Sequence, residues 1–377
     1  MGRGKLGIIS DTAVTQSKDG TFRGYEPVVK EIDYFLQYWD KVEWLAYLYS
    51  STKTVYSDPL SKEVEVKGLR PLGGTGLLVK LTVLINYLNL FVQVYKVIKA
   101  SQDIHVRAPA HPAICAMLLA PLFSKKTFWF KYAGSWIDEA PISYNLQRKL
   151  LKKISKGRIF TTINGQWPDS NSNIIAFENP CFSEKVYEEM TQDTPIEGTI
   201  SNELRLIYVG ALSEFKGVQL VMGALENMGF QGIDRFTIIG TGEYEKNLVD
   251  KANASPYKNQ FDFQGKKNKD EVFKFLKASD LLIIASKTEG FPKVISEAMM
   301  NYCVPISTRV SCIEQYIDEH TGFIIEERTE AGVEKTLLSA VSDQELNQKK
   351  INCRELAGRF TYENYLHHLL GTIFVSK

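Results

Sequence analysis

The stretch LLIIASKTEGFPKVISEAMMNYCVPISTRV, residues 281–310, shows the pattern on which the whole chain is built. It opens with an apolar run, residues 281–285, that has the length and content of a buried strand. In the loop that follows, Gly290 permits a tight turn and Pro292 is suited to the first turn of a helix. A helix over residues 293–301 and a second strand complete the unit. This order places a helix N-terminus at the carboxyl end of a parallel strand, where doubly wound sheets bind ligands.

Two glutamates flank the start of this helix. Glu289 lies in the loop and Glu297 in the helix, where apolar neighbours such as Ile295 predict a partly buried side chain. A buried carboxylate needs hydrogen-bond donors, and the hydroxyls of a ribose or a hexose supply them without adding charge. The amides of Lys293 and Val294, at the helix N-terminus, suit a phosphate group. Taken alone, the glutamates are equally typical of a helix N-terminal charge and a solvated charge on a helix face.

Three further loops follow predicted strands in this half of the chain. In VGALSEFKGV, residues 209–218, a strand ends at Gly210, and Lys216 precedes a helix from a position that can reach phosphate oxygens. The turn Gly-Thr-Gly at residues 240–242 lacks the third glycine of a dinucleotide fingerprint and is also typical of a tight strand-to-helix turn. Lys266 follows the next strand.

Composition excludes several classes of protein. A chain of 377 residues with 44% hydrophobic and 24% charged residues is expected to form two soluble globular domains. A net charge of +1 argues against a dedicated nucleic-acid binder. The five cysteines and five histidines show no metal-ligand spacing, so we expect reduced thiols, no metal and no cofactor.

The alternation of strands and helices divides the chain in two. It runs from residue 6 to residue 177 and restarts over residues 204–325, which predicts two α/β domains with parallel sheets and helices on both faces. The first strand is followed by a predicted polar loop, residues 11–24, with no GxGxxG. The polar segment 183–201 is interpreted as the approach to the second domain, and a last helix is predicted over residues 362–374.

EGFPKVISEAM, residues 289–299, followed by a Val-Pro step at residues 304–305, resembles the retaining, nucleotide-sugar-dependent glycosyltransferases of family four, the glycosyl transferases group 1. The resemblance covers residues 204–366, where the chain also keeps Lys216 and its flanking glycine. In the first half of the chain, the resemblance lies mainly in the architecture.

This resemblance implies an α/β chain of GT-B fold, with two Rossmann-like, doubly wound domains facing a central cleft. The expected acceptor-binding domain comprises residues 1–180, and the expected nucleotide-sugar-binding domain comprises residues 181–359. The helix at residues 360–377 is expected to cross back to the first domain, because FTYENYL, residues 360–366, occupies the matching place.

Residue roles follow from the same resemblance. Glu289 is expected to approach the donor sugar and Lys216 to hold the diphosphate, so these two are the predicted catalytic residues. Glu297 is expected to hold the ribose. The remaining predicted nucleotide-sugar-binding residues are Gly210, Gly242, Lys266, Gly290, Phe291, Pro292, Lys293 and Val294.

Two positions depart from the family pattern. Ala211 stands where arginine is usual, and Cys303 stands where glycine is frequent and is expected to be a buried structural thiol. The chain also lacks the Asp-x-Asp pair with which metal-dependent sugar transferases commonly hold a cation. A metal-independent site is therefore expected, in which a lysine and a helix dipole neutralise the leaving group.

The implied reaction moves a hexosyl group from a UDP or GDP sugar to a hydroxyl of a glycan or lipid-linked glycan, with retention of configuration. The leaving phosphate is thought to help deprotonate the acceptor in this family, so no nucleophile is assigned. Acceptor candidates in the first half of the chain are His111, Tyr132, Trp136 and Asp138, which can hydrogen-bond to or stack on a sugar. Singly, each is also typical of a packed aromatic or a surface polar residue.

No apolar run has the length of a secretory signal or a bilayer-spanning helix, so a cytoplasmic location is expected. Two segments favour a peripheral position on the anionic inner face of the plasma membrane: the basic QRKLLKKISKGR, residues 147–158, and the very apolar helix at residues 77–99. The alternative is a solvated cationic helix beside an ordinary core helix. A membrane position would suit polysaccharide biosynthesis for the cell envelope, a capsule or an O-antigen.

Two other functions fit the same pattern. A nucleotide-sugar 2-epimerase of GT-B architecture would isomerise its donor with no acceptor present. A non-catalytic, glycosyltransferase-like partner subunit would keep the fold and lose the chemistry, and Ala211 favours it.

Overall fold

The computed structural model describes residues 2–49, 57–70, 77–168, 171–192 and 203–375 of the chain. It divides into two compact units. The first comprises Met1–Phe177 with Leu366–Lys377, and the second comprises Glu178–Tyr365.

The first unit is built on a sheet that is parallel at its centre. Strand β1 (Lys5–Gln16) pairs in parallel with β3 (Lys41–Tyr49) on one side and with β6 (Asp103–Ala108) on the other. Further parallel strands are β5 (Val64–Leu69) next to β3, and β7 (Thr127–Tyr132), β8 (Ile159–Ile163) and β9 (Ile174–Ala176) beyond β6. An antiparallel extension of β1 is formed by β2 (Phe22–Tyr25) and β4 (Ser57–Pro59).

Helices cover this sheet and bury its apolar strands. They are α1 (Glu26–Phe35), α2 (Leu77–Ala100), α3 (His111–Leu119), α4 (Ile142–Ile154) and the end of α12 (Tyr362–Thr372). The segment after α12 is held in this unit by Phe374, whose ring packs on Trp39 and Trp129. Arg3 Nη1 donates to the Phe374 carbonyl at 2.7 Å.

In the described part of the second unit, six parallel strands follow the order β12-β11-β10-β13-β14-β15. They are β10 (Leu204–Val209), β11 (Ile233–Ile239), β12 (Phe261–Gly265), β13 (Leu281–Ile284), β14 (Val304–Thr308) and β15 (Phe323–Ile325). The direction of winding reverses between the neighbouring strands β10 and β13, so the loops that leave them lie side by side at the carboxyl edge.

The helices of the second unit are α5 (Glu184–Gln192), α6 (Val218–Asn227), α7 (Glu245–Ala254), α8 (Lys269–Lys277), α9 (Lys293–Met300), α10 (Glu330–Val341), α11 (Leu346–Ala357) and the start of α12. A capping box between Asn268 and Glu271 fixes the start of α8. Strand β13 is buried along its whole length, as a central parallel strand requires.

In three segments the structure differs from the sequence analysis or adds to it, and one prediction of local structure was wrong. The expected loop at residues 11–24 is instead the continuation of β1 to Gln16 and its hairpin with β2, because an antiparallel extension with a solvated face carries many polar residues. Residues 184–192 of the expected polar approach form α5, and the rest of that segment lies outside the described residues. Helices α10 and α11 were not predicted.

Candidate functional site

The loop between β13 and α9 carries the first group of predicted ligand-binding residues. Pro292 is the N-cap residue of α9, with φ −68° and ψ 112°, and no described side chain caps this helix. The Ile295 amide donates to the Pro292 carbonyl at 3.0 Å. The amides of Lys293 and Val294 therefore lie in the first turn, at the positive end of the helix, where an anion is favoured.

Lys216 and Glu289 form an ion pair where β10 and β13 end. Lys216 closes a short 3-10 turn, Glu214–Lys216, and both side chains of the pair are half-buried. Burial, and then the negative charge of Glu289, raise the pKa of Tyr208, whose hydroxyl donates to the Ala211 carbonyl at 2.8 Å. The two predicted catalytic residues therefore lie together, within one unit.

At the carboxyl edge of the second unit's sheet, the loops that follow the strands approach one another closely. A side chain at residue 240 or 242 would not fit between them. A Cβ at Gly240, where φ is +139°, would lie 1.8 Å from the Gly210 carbonyl oxygen. One at Gly242 would lie 2.1 Å from the Leu212 carbonyl oxygen. The predicted residues Gly210 and Gly242 thus belong to adjoining loops, and the backbone contacts between these loops require glycine at residues 240 and 242.

Glu297 has a partner that sequence reasoning missed. Lys269 Nζ lies 3.4 Å from Glu297 Oε1 and also donates to the Cys181 carbonyl. Lys269 is the first residue of α8, where a cation opposes the helix dipole, and that misplaced charge is the sequence signal that could have identified it. Lys293, the first residue of α9, similarly donates to the Pro180 carbonyl at 2.6 Å.

The other predicted residues of this edge take part in local packing. Phe291 is buried and stacks on Phe360, with ring centroids 5.1 Å apart and planes at 7°. The Gly290 carbonyl lies 3.8 Å from Cys312 Sγ. Lys266 follows a glycine with φ +63°, and desolvation lowers the pKa of the Lys266 ammonium. The Phe291 ring therefore anchors the loop to the core of its unit.

The four acceptor candidates of the first unit have different environments. Tyr132 and Trp136 are 1% and 2% exposed, and their rings meet edge-on at 5.3 Å. Such burial supports the packing interpretation for both, because a covered ring cannot stack on a sugar. His111 begins α3, is exposed, and shares a hydrogen bond with the Tyr87 hydroxyl. Asp138 is half-buried in the loop before α4.

Asp11 and Arg107, which were not among the four acceptor candidates, lie in the same neighbourhood as His111. Desolvation raises the pKa of Asp11, whereas Arg107 and His111 lower it. Glu31 is buried and accepts hydrogen bonds from Arg107 Nη1 at 3.0 Å and from Lys131 Nζ at 2.9 Å. The signal that could have found Asp11 and Arg107 is their position late in, or just after, apolar strand segments.

The two segments expected to favour a lipid surface differ in exposure. In the basic segment, Leu151 and Ile154 are buried and Arg148 Nη1 donates to the Ser135 carbonyl at 3.3 Å, so its apolar face packs inside the unit. Among the side chains of helix α2 that the structure describes, residues 86–100, four large apolar ones are exposed: Leu88, Phe91, Val92 and Tyr95. Within the described ranges, no helix combines the length and apolarity needed to cross a bilayer.

All five cysteines are buried, and none of them takes part in a disulfide bond. Burial raises the pKa of the Cys303 thiol well above its ordinary value, so the thiolate that a reactive cysteine requires is disfavoured. Among the described residues, no three His, Cys, Asp or Glu side chains form a group that could hold a metal ion.

Residues 190–354 match the family described as glycosyl transferases group 1, a range that contains Lys216, Glu289 and Glu297. An uncharacterized glycosyltransferase of Methanocaldococcus jannaschii is 30% identical over 162 residues, 42% of this chain and 44% of the relative. The N-acetyl-alpha-D-glucosaminyl L-malate synthase of Bacillus anthracis is 28% identical over 185 residues, 48% of this chain and 47% of the relative. The matches thus span less than half the length of these curated relatives.

Solved structures resemble nearly the whole chain. Anabaena HepE in complex with UDP superposes with a TM-score of 0.70 and 15% identity, covering 99% of this chain and 100% of HepE. The sucrose-phosphate synthase of Thermosynechococcus elongatus gives a TM-score of 0.69 and 14% identity, covering 100% of both chains. WaaG, a glycosyltransferase involved in lipopolysaccharide biosynthesis, gives 0.65 and 11%, covering 98% of this chain and 100% of WaaG.

These likenesses confirm the predicted fold class, two Rossmann-like α/β domains of the GT-B type. The family match confirms the coarser part of the resemblance seen in the sequence motifs, the likeness to glycosyl transferases group 1. Residues 190–354 of this chain are therefore similar in sequence to the family described as glycosyl transferases group 1.

Proposed function

We propose that this protein is a retaining glycosyltransferase that moves a hexosyl group from a nucleoside-diphosphate sugar to a hydroxyl of a glycan or lipid-linked glycan. The observation that carries the proposal is the ion pair between Lys216, in the turn before α6, and Glu289, in the loop that leads into α9, both within the range that matches the glycosyl transferases group 1. A lysine and a helix N-terminus suit the two negative phosphates. A half-buried carboxylate suits the hydroxyls of a sugar.

In this proposal each of the two units binds a different substrate. The second unit holds the nucleotide sugar, with Glu297, oriented by Lys269, accepting hydrogen bonds from the ribose hydroxyls. The first unit holds the acceptor. Its best-supported candidate is His111, since it is exposed and, like Arg107, lies close enough to Asp11 to influence its charge.

The proposed reaction breaks the bond between sugar C1 and the phosphate oxygen and forms a bond from C1 to the acceptor oxygen on the same face. The acceptor proton passes to the departing phosphate oxygen, so the products are a glycoside and a nucleoside diphosphate. Lys216 and the amides of α9 stabilise the charge that develops on the leaving group, an effect that is strongest in a preorganised site. Because these groups are cationic or dipolar, we propose turnover that persists in EDTA.

UDP sugars are the first donors to test, and GDP sugars the second. HepE has been crystallised with UDP, with UDP and glucose, and with UDP-glucose. WaaG acts in lipopolysaccharide biosynthesis, and WaaB is a lipopolysaccharide outer core galactosyltransferase. By analogy we propose a role in cell-envelope, capsule or O-antigen polysaccharide assembly.

We further propose that transfer takes place at the cytoplasmic face of a membrane, with α2 as the contacting element. Its exposed side chains Leu88, Phe91, Val92 and Tyr95 follow helical spacing and so form one face. Lys96 and Lys99, both exposed, continue along the helix and suit anionic lipid headgroups.

The test is a donor screen with purified protein. Thermal shifts against UDP, GDP and their sugars identify the nucleotide, because a ligand that binds only the folded state raises the melting temperature. Candidate glycan acceptors are then added, and proton NMR of the product gives the anomeric configuration. An inverted product would overturn retention, and the absence of binding and turnover with every nucleotide sugar would overturn the proposal.

The same screen separates the two alternatives. Isomerisation of the donor in the absence of acceptor would identify a 2-epimerase. Nucleotide binding without transfer, hydrolysis or isomerisation would favour the partner-subunit hypothesis, which Ala211 supports.

A further inference from the structure

Arg328 connects the two loops that carry Lys216 and Glu289, although it lies in none of the motifs that mark the site. It stands between β15 and α10. Its Nε donates to the Ala285 carbonyl at 2.9 Å, and its Nη2 donates to the Phe215 carbonyl at 3.1 Å. Ala285 directly follows β13, and Phe215 directly precedes Lys216, so one guanidinium bridges both loops.

Two backbone contacts converge on the same place. The Lys287 amide donates to the Phe215 carbonyl at 2.8 Å. A Cβ at Gly217, where φ is +76°, would lie 2.2 Å from the Ala285 carbonyl oxygen. The turn before α6 therefore rests directly on the end of β13, and Arg328 spans the contact from the side.

Desolvation lowers the pKa of Arg328, while the negative charge of Glu214 opposes the shift. Half-burying a guanidinium costs free energy that its hydrogen bonds must offset. The planar fork of arginine donates to two acceptors in fixed directions, whereas a lysine ammonium acts as a point charge. The two carbonyl acceptors therefore favour arginine over lysine at residue 328.

We propose that Arg328 is a positioning residue, whose guanidinium fixes the turn Glu214–Lys216 against β13 and thereby sets where Lys216 meets Glu289. Arg328 touches the backbone of the two loops and acts through Lys216. The bridge that Arg328 forms between the two loops, here called the clamp, is a property of the free protein. Its role in binding the diphosphate rests on the proposed function.

Hydrogen exchange in the free protein tests the clamp. The variant R328M removes the donors and keeps an extended apolar chain, and R328K keeps the charge with a single donor group. The matched control is R309M, since Arg309 is an exposed arginine of the same unit that pairs with Glu314 and Glu326. In R328M we expect the amides of Gly217 and Lys287 to exchange about 10-fold faster than in wild type. This factor corresponds to a local opening free energy that is lower by about 1.4 kcal/mol. The exchange rates in R328K should be intermediate, and those in R309M should equal the wild-type rates.

UDP binding tests the consequence. We expect the Kd for UDP to rise about 10-fold in R328M and less in R328K, because Lys216 is no longer held in place. Wild-type exchange rates in R328M would overturn the clamp, and faster exchange with an unchanged Kd and kcat would overturn its positioning role.

Two outcomes separate this inference from the proposed function. A wild-type protein that binds no nucleotide refutes the proposed function, whereas faster exchange in R328M still supports the clamp. If R328M does not fold, R328K decides, since the single nitrogen of lysine cannot occupy both donor positions of the guanidinium fork and the variant should show faster exchange.

Discussion

Lys216 and Glu289 lie 73 residues apart in the sequence and form an ion pair at the ends of two neighbouring parallel strands. In the free protein each charge is balanced by the other. A bound diphosphate would compete for the lysine, which would leave the carboxylate oxygens free to accept hydrogen bonds from the attached sugar. Such an exchange of partners couples the two residues, and the coupling can be measured.

The first prediction is that Glu289→Gln and Lys216→Met act on the same step. Each single variant should lower kcat on the order of 10²-fold, the usual loss when one preorganised charged group is removed. The double variant should lose much less than the product of the two, because contacting residues are not additive. Glu326→Gln, which removes an exposed partner of Arg309, is the matched control. Independent, multiplicative losses would show that the pair does not act as a unit.

A second prediction concerns Glu297, the proposed ribose ligand. Glu297→Gln should weaken UDP binding about 10-fold, since hydrogen bonds to a charged group contribute ~1.5–3 kcal/mol. The decisive measurement compares UDP with 2′,3′-dideoxyuridine diphosphate by calorimetry. Wild type should discriminate between them and Glu297→Gln should not. Discrimination that survives the substitution would place the ribose elsewhere. Lys269→Met should have a smaller effect, because Lys269 acts by orienting the carboxylate.

The sequence predicted the parts of this site that are local in the chain. The loop, helix start and second glutamate of residues 289–299 are consecutive, so their spacing specifies their geometry once β13 and α9 form. The strands of the second unit were found for the same reason, as short apolar runs ended by turn residues.

What the sequence did not reveal depends on tertiary neighbours. Lys269 and Arg328 act through groups distant in the chain, and no spacing rule connects them to Glu297 or to Phe215. The burial of Tyr132 and Trp136 depends on which side of the strand end faces the core, and aromatic residues suit either side.

The third prediction tests α2 as a lipid-contacting helix. Replacing Leu88, Phe91 and Val92 together by serine should lower binding to vesicles of phosphatidylcholine and phosphatidylglycerol by at least about 10-fold, because each large apolar side chain that becomes buried contributes ~1.5–3 kcal/mol. Sedimentation with vesicles measures it. The control replaces the exposed Leu338 and Ile351 of the second unit by serine. Equal vesicle binding by the two variants would contradict a role for the apolar face of α2. Binding to vesicles of pure phosphatidylcholine alone would contradict a contribution from anionic headgroups.

The last prediction concerns the stability of the first unit against pH. His105 is fully buried and stacks on Trp129, with ring centroids 3.8 Å apart, and its Nε2 has no hydrogen-bond partner among the described residues. Burial lowers the pKa of His105 to about 3, with Glu31 opposing the shift and Arg107 and Lys131 adding to it. An unfolded histidine titrates near ~6.5. Between these values the unfolded chain binds a proton that the native state does not, so stability is full above pH ~6.5 and falls as the pH drops towards about 3.

His105→Phe keeps an aromatic ring for the stack on Trp129 and removes the titration. Between pH 7 and pH 5, urea unfolding should show the wild type losing about 2 kcal/mol more than His105→Phe, since each pH unit in the window is worth at most ~1.4 kcal/mol. The exposed His367 provides the control, and His367→Phe should follow the wild-type curve. Parallel curves for wild type and His105→Phe would mean that the buried ring is protonated in the native state. In that case the attraction of Glu31 would outweigh the free energy cost of burying the imidazolium. The protonated His105 would then be a third cation beside Arg107 and Lys131.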